Sequence, residues 1–535
     1  MSSRNAGPGP RVAWALVGIL TLGALALRAF RLSWPVLSTD EYATYAFATE
    51  PVARLLGPDY RTETNPPLYY LLQRAWLVLG DSPGALRTLP LVFGVASVPL
   101  VYALGRRLAG TGPALVACAL TAISEIHVFF GREARAYALL TSASLVALLA
   151  LARLASAWGA SGLADGDGDA GREASASRAG AGAWRWWLGY VAASTVAVYA
   201  HSTAVLLVVL ANVLVTALVL SRRLPVSFLY RWIPANAAIV ALYAPWLAVT
   251  VEQCRSVLAD FWIPESSPRW VASQLMGLYP CPRWSKPVLY ALPLAGAWLL
   301  RRRPLALAFV LVFAVGQPLL LYLASLVRPM FYVRPMIWTT PFGYLLAGVA
   351  LCAVRRVAGA PGFAAALAAV AAVALRGTAA LYPAAPEVAD TAGFVAPLRA
   401  FAPATDALVV APAPFAWQLR YETRAAPVPR PWLGLTFGDK PDRLAPWYPV
   451  EELRRAELVS RLEGLERVWL LLEVHHLFPP APGDGFEPAL ADLDRWGARA
   501  AAWRSGNLEL IRFDRVPPAA LAGDARGRPG TGAAR

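Results

Sequence analysis

Four short segments gather the ionisable and hydrogen-bonding side chains of an otherwise apolar sequence. In STDEYATYA, Asp40 and Glu41 are adjacent carboxylates with few other charges nearby. A carboxylate so placed can take a proton from an attacking hydroxyl, and a solvated charge pair beside a membrane span is the plainer alternative. In FFGREARAYALL, Arg132, Glu133, Arg135 and Tyr137 crowd a turn between two apolar runs. If that turn is helical, Arg132 and Arg135 share a face; the alternative is two arginines snorkelling at an interface around one carboxylate. VYAHSTA contributes Tyr199 and His201, where a hydrogen-bonded interface histidine is the plain reading, and LVRPMFYVRPM contributes Arg328, Tyr332 and Arg334. Paired guanidiniums suit a phosphate or pyrophosphate, whose oxygens they bind in a fork that lysine cannot match, while anchoring to lipid headgroups would use the same residues.

An ionisable group costs about 2.5 to 3.5 kcal/mol at the centre of a membrane helix, so the elements that carry these segments matter. The chain has 535 residues, 57% hydrophobic and 16% charged, with a mean hydropathy of +0.47. That composition excludes a string of soluble domains and describes an integral membrane protein. Lys and Arg outnumber Asp and Glu by 49 to 34, a net +15, but the arginines fall in short clusters between apolar runs. Clusters of that kind read as topology signals, and no nucleic acid partner is expected. No CxxC, zinc spacing or glycine-rich phosphate loop occurs, and carboxylates are few, so no metal site and no bound cofactor are assigned.

A bilayer core about 30 Å thick needs roughly 20 apolar residues at about 1.5 Å each. Eleven such runs lie near residues 11–30, 86–105, 112–130, 137–156, 184–200, 203–221, 232–251, 287–301, 304–327, 335–354 and 362–380. Arg28 and Arg31 follow the first run without a convincing cleavage site, so it reads as a span rather than a cleaved signal. With the N-terminus inside, Arg106-Arg107, Arg153 with Arg172 and Arg178, Arg222-Arg223, Arg301–Arg303 and Arg355-Arg356 all become cytoplasmic. The short apolar stretch at 66–80, with Tyr69, Tyr70 and Trp76, reads as a helix in the outer interface or re-entering from that side.

This threading makes residues 1–381 a transmembrane domain with outer loops at 31–85 and 252–286. Residues 158–183 are too poor in apolar side chains to pack and read as a disordered cytoplasmic linker. Residues 382–535 read as a small extracytoplasmic α/β domain. There, DALVV (406–410), VWLLLE (468–473) and NLELIRF (507–513) alternate with stretches of helical pattern such as VEELRRAELVSRLEGLER, and the tail reads as frayed. Cys254 and Cys281 share the second outer loop, where they either form a disulfide or stay as thiols. Such a bridge would stabilise the loop by roughly 3 kcal/mol.

The order and spacing of these segments resemble the GT-C class of membrane glycosyltransferases, specifically the glycosyltransferase family 39 type that includes protein O-mannosyltransferases and aminoarabinose transferases. The likeness is carried by Asp40-Glu41, by NPPLYYLL from Asn65, by ALRTLPLVFGVASVPLVYALGRRL and by GREARAYALL, with His201 and RPMFYVRP as later landmarks. Asn65 stands where relatives often have His, Arg132 where they often have Gln, and Pro335 where many have Tyr. These departures bear on the sugar and acceptor more than on the reaction class.

The resemblance implies inverting transfer of a hexosyl or pentosyl group from a polyprenyl-phosphate donor to an acceptor hydroxyl of a protein, lipid or glycan. The reaction would take place on the outer face of a bacterial cytoplasmic membrane. Asp40 would be the base, with Glu41 positioning it or the acceptor. Arg135 and Arg334, helped by Arg132 and Arg328, would hold the donor phosphate. Asn65, Tyr69, Glu133, Tyr137, His201 and Tyr332 would line the substrate cleft. A polytopic lipid or sugar transporter or flippase would instead carry charges and broken helices at the midplane. A catalytically inactive scaffold would keep the same spans and present the C-terminal domain.

Overall fold

A computed structural model describes residues 8–163, 182–259, 263–382, 395–435, 444, 447–473, 486–505 and 508–515. The chain divides into two compact units, one of Met1–Trp34 with Glu50–Ala385 and one of Pro35–Thr49 with Pro386–Arg535. The segment carrying Asp40 and Glu41, read from the sequence as part of the membrane domain's first loop, therefore clusters with the C-terminal residues.

The apolar runs read from the sequence are helical, except that the run at 112–130 breaks at Ser124, whose extended backbone (φ −73°, ψ 137°) divides it into two helices. In the first unit the main helices are α1 (Pro10–Ala29), then, after α2 of the other unit (Thr39–Thr49), α3 (Leu68–Trp76) and α4 (Pro83–Ala109). They continue as α5 (Thr111–Ile123), α6 (Glu125–Phe130), α7 (Tyr137–Ala157), α8 (Ala183–Ala200), α9 (Val205–Leu220) and α10 (Leu229–Ala259). α11 (Pro268–Gly277), α12 (Lys286–Leu300), α13 (Pro304–Ser325) and α14 (Thr340–Ala379) complete the unit. Among the described residues, seven helical stretches are long and apolar enough to cross a bilayer, so the protein is multi-pass. α7 is apolar around its whole circumference and runs buried through the bundle, which is where such a helix must lie.

The last of these stretches doubles back. Thr340 Oγ1 lies 2.7 Å from His127 Nε2, and Thr378 Oγ1 donates to the carbonyl of Ile123. In one straight helix, at about 1.5 Å per residue, the two threonines would stand about 57 Å apart. Instead the chain reverses at Gly359, whose φ of +69° and ψ of −170° are open to glycine, and Pro361 starts the return limb. These limbs correspond to the two final apolar runs of the sequence.

The sequence reading of a disordered linker starts too early. Residues 158–163 form an ordered turn in which Ala160 and Leu163 are buried and Trp158 packs edge-on to Phe228 at 5.7 Å. Those apolar side chains give the turn something to pack; residues 164–181 lie outside the described residues.

In the second unit a six-stranded sheet runs β3-β2-β1-β4-β6-β5, where β1 is Asp406–Ala411, β2 Leu433–Leu435, β3 Glu451–Leu453, β4 Arg467–Glu473, β5 Gly497–Ser505 and β6 Leu508–Arg515. β3, β2, β1 and β4 are parallel, and β6 and β5 complete the sheet antiparallel. Alternate residues of β1 enter opposite cores. Ala407, Val409 and Ala411 meet α16 (Glu487–Trp496) through Ala489 and Leu493. Leu408 and Val410 meet α15 (Phe415–Glu422) through Phe415, Ala416 and Leu419. VEELRRAELVSRLEGLER is not one helix, because Glu451–Leu453 pairs with β2 as an edge strand and only Leu458–Arg461 makes a turn of α-helix.

Candidate active site

The turn between α6 and α7 is not helical, and that separates its two arginines. α6 stops at Phe130, and residues 131–136 form bends before α7 begins at Tyr137. Arg132 Nη2 donates to the carbonyls of Arg31 at 2.9 Å and Trp34 at 3.1 Å. Its guanidinium lies 4.5 Å above the ring of Tyr382. Arg132 thus clamps the exit from α1, where Arg31 adopts φ +51°, a left-handed conformation. Arg135 instead turns to another surface, with Nη1 3.4 Å from the hydroxyl of Tyr70. Glu133 is buried within the turn.

What holds this turn is Arg28, near the end of α1. Its buried guanidinium donates to the carbonyls of Ala122 at 2.9 Å, Ala24 at 3.2 Å and Thr121 at 3.3 Å, serving the orphan end of α5. A Cβ on Gly131 would stand 2.7 Å from Arg28 Nε and 2.9 Å from the carbonyl oxygen of His127, and a Cβ on Gly94 would stand 2.9 Å from Gly131 Cα. Three elements meet there without side-chain volume between them.

Arg135 opens onto a small cleft that is also lined by Asn65, Pro66, Tyr69, Tyr70, Tyr137 and His201. Glu63 organises one wall. Its carboxylate accepts from Asn65 Nδ2 at 2.8 Å and Asn65 N at 3.0 Å, with Tyr70 Oη at 3.5 Å. Tyr60 Oη donates to the Asn65 carbonyl at 2.8 Å, and buried Gln253 of α10 donates to the Glu63 carbonyl. Burial first, then Tyr70 and Glu63, keep the Tyr60 phenol protonated far above its usual range, although Arg135 opposes this.

His201 closes the other side. The Thr203 N–H donates to its Nδ1 at 3.3 Å, and the Thr203 hydroxyl lies 2.9 Å from the same nitrogen. A nitrogen that accepts from a backbone N–H carries no proton, so Nε2 holds it. Burial and then Arg135 push the imidazole down to about 4, which keeps it neutral at physiological pH. The rings of His201 and Tyr137 stand 5.8 Å apart, and Tyr137 packs with Phe130, Ile337 and Val333.

The 328–335 turn reaches this region through Val333, which packs with Ile337 against Tyr137. Arg334 lies 5.3 Å above Tyr332, which stacks on Trp270 at 6.4 Å. Arg328, Tyr332 and Arg334 are half-buried and are not among the residues lining the Arg135 cleft.

In the second unit, Ser38 and Glu41 form a capping box at the start of α2. Ser38 N donates to Glu41 Oε2 at 2.9 Å, and Glu41 N donates to Ser38 Oγ at 3.3 Å. Glu41 is buried and holds the helix start, while Asp40 is half-buried on the same turn. α2 rests on α15. Tyr42 Oη donates to Glu422 Oε1 at 2.6 Å, and Phe47 packs against Trp447 at 4.9 Å and Trp417 at 5.8 Å.

Glu63, Tyr60 and Gln253 were not singled out from the sequence, and Arg28 was read only as a charge after the first span. The only local signal was the acid two residues before Asn65 in TETNPP. Cys254 and Cys281 are free thiols. Cys254 is exposed on α10, and Cys281 lines a groove beside α12. Among the described residues, no three His, Cys, Asp or Glu side chains gather as a metal site.

The family described as dolichyl-phosphate-mannose-protein mannosyltransferase matches residues 64–164, the stretch from Asn65 through α7. No curated protein matches significantly. ArnT from Cupriavidus metallidurans, in the apo state, superposes with a TM-score of 0.61 at 13% identity, over 94% of this chain and 98% of that one. The fold is that of the GT-C glycosyltransferases. The same ArnT bound to undecaprenyl phosphate gives a TM-score of 0.57 at 13% identity, over 94% of this chain and 97% of that one. AglB from Archaeoglobus fulgidus, an archaeal oligosaccharyltransferase in complex with an inhibitory peptide and a dolichol-phosphate, gives 0.54 at 12% identity over 86% and 69%. The chain is thus similar to glycosyltransferase family 39 over residues 64–164 and has the fold of ArnT.

Proposed function

We propose that the protein transfers a hexosyl or pentosyl group, with inversion, from a polyprenyl-phosphate donor to an acceptor hydroxyl on the outer face of a bacterial cytoplasmic membrane. The observation that carries the reading is the cleft in which Arg135 stands with Asn65, Tyr70 and a neutral His201. Arg135 binds the donor phosphate, and its charge stabilises the phosphate as the glycosidic C–O bond breaks. Asn65 and the His201 Nε2–H supply neutral donors, which orient oxygens without adding a second cation. Arg334 and Arg328 assist the donor headgroup. Arg132 is occupied with the carbonyls of Arg31 and Trp34, so its part is to hold the turn.

Asp40 is the base. The acceptor oxygen attacks the anomeric carbon as its proton passes to the Asp40 carboxylate, and polyprenyl phosphate leaves with the bonding electron pair. Capping geometry favours this choice, because Glu41 is engaged with the Ser38 backbone. Asp40→Asn keeps size and hydrogen bonding but cannot take the proton, so single-turnover transfer should slow by about 10² to 10⁴ fold with donor binding nearly intact. Glu41→Gln should chiefly loosen the start of α2. Near-normal transfer by Asp40→Asn with a large loss in Glu41→Gln would reverse the assignment, and near-normal transfer by both would remove this loop from catalysis.

A further inference from the structure

A second recess in the membrane unit lies away from the Arg135 cleft, with no lining residue in common. It is a shallow, open groove between α5, α12 and the two limbs of α14, enclosing a volume of about 70 Å³. Its walls are apolar, including Leu120, Leu292, Ala347 and Val370, while Glu125, Ser124, Tyr279, Cys281, Tyr290 and Tyr344 line its polar part. Glu125 is half-buried, and no hydrogen bond or ion pair among the described residues engages its carboxylate. It lies tight against the return limb, where a Cβ on Gly377 would stand 2.6 Å from Glu125 Oε2. Glu125 opens α6 just after its capping residue Ser124, and with no partner among the described residues its carboxylate is open to a cation entering the groove.

We propose that this groove binds a phospholipid with a primary ammonium headgroup, of the phosphatidylethanolamine class, whose ammonium pairs with Glu125. Four features select this occupant. α12 presents Val288, Leu294 and Trp298 outward at 64%, 73% and 62% exposure, so the groove borders lipid rather than protein. Val370 sits eight residues down the limb from Thr378, about 12 Å at about 1.5 Å per residue, which approaches the half-thickness of a core about 30 Å deep. That depth suits an acyl chain. The carboxylate calls for a cation, and an ammonium with N–H donors satisfies it by charge-assisted hydrogen bonds. The tyrosines do not form an open cage for a quaternary ammonium, because Tyr279 meets Tyr344 edge-on at 5.5 Å.

The site is independent of sugar transfer, and its test needs no transferase activity. The full-length protein in detergent is mixed with phosphatidylethanolamine, phosphatidylcholine and phosphatidylglycerol of identical acyl chains, and the adducts are counted by native mass spectrometry. Phosphatidylethanolamine should be retained in preference to the others, and Glu125→Gln should reduce that preference by about tenfold. A Cys254→Ser protein provides the second readout. A lipid-soluble maleimide should label Cys281 several-fold more slowly with phosphatidylethanolamine present, and adding Glu125→Gln should remove that protection. Equal retention of all three lipids, or a preference and protection that survive Glu125→Gln, would overturn the proposal.

Discussion

Acidification should weaken this protein through His201, and the size of the effect follows from the ring's surroundings. In the folded state Nδ1 accepts from the Thr203 N–H, so protonation would replace an acceptor by a second donor facing a donor. Burial and the neighbouring Arg135 add to that cost and lower the imidazole to about 4. The unfolded chain binds the proton at about 6.5, so the unfolded state is protonated first. Stability from this group is therefore present above about pH 6.5 and is lost as pH falls from there towards about 4. Single-site linkage gives a loss of about 1.4 kcal/mol at about pH 5.5, and solvent screening of the partly exposed ring reduces it to about 1 kcal/mol. The assay compares thermal unfolding of the wild type and His201→Gln in detergent at about pH 7.5 and about pH 5.5. The wild type should lose about 1 kcal/mol more than the variant over that interval. Equal losses in both proteins, or an imidazole resonance that titrates near 6.5, would refute the argument.

Gly131→Ala should destabilise the protein by about 1 to 3 kcal/mol, because the new methyl meets the Arg28 side chain and a backbone carbonyl in a packed region. Thermal unfolding beside an Ala substitution at the open position Gly23 checks this, and equal stability of the two would show that the packing at Gly131 yields freely. Tyr42→Phe removes the bond to the Glu422 carboxylate and should cost about 1.5 to 3 kcal/mol in the second unit. Hydrogen exchange across α2 should quicken in that variant, and unchanged exchange would mean that the aromatic contacts of Phe47 alone hold the helix.

Helix-forming segments were legible in the sequence because a membrane span is a one-dimensional property, the length of an uninterrupted apolar run. The same holds for β1, β4 and β6, whose dense apolar cores need no knowledge of their partners. Edge strand β3 was hidden, since Glu451–Leu453 is a strand only by pairing with β2 and its charged pattern reads as helical surface. Capping by Ser38 and Glu41 was written in an S-x-x-E spacing and needed only the position of the helix start.

The chemistry-bearing residues divided in the same way. Asn65, Tyr69, Arg135, Tyr137 and His201 stand out as polar groups at the ends of apolar runs, and the fold gathers all five around one cleft. What no local pattern could decide is which arginine of a pair faces that cleft. Arg132 and Arg135 differ in role because Gly94, Gly131 and Arg28 hold the turn out of helical form, and those residues lie far apart in the chain. Glu63 likewise gains its place through Gln253, close to two hundred residues away. Apolar length and residue type are properties of the chain and determined the elements. The direction of each polar side chain depends on which distant backbone groups are left to bond, and only the packed structure decides that.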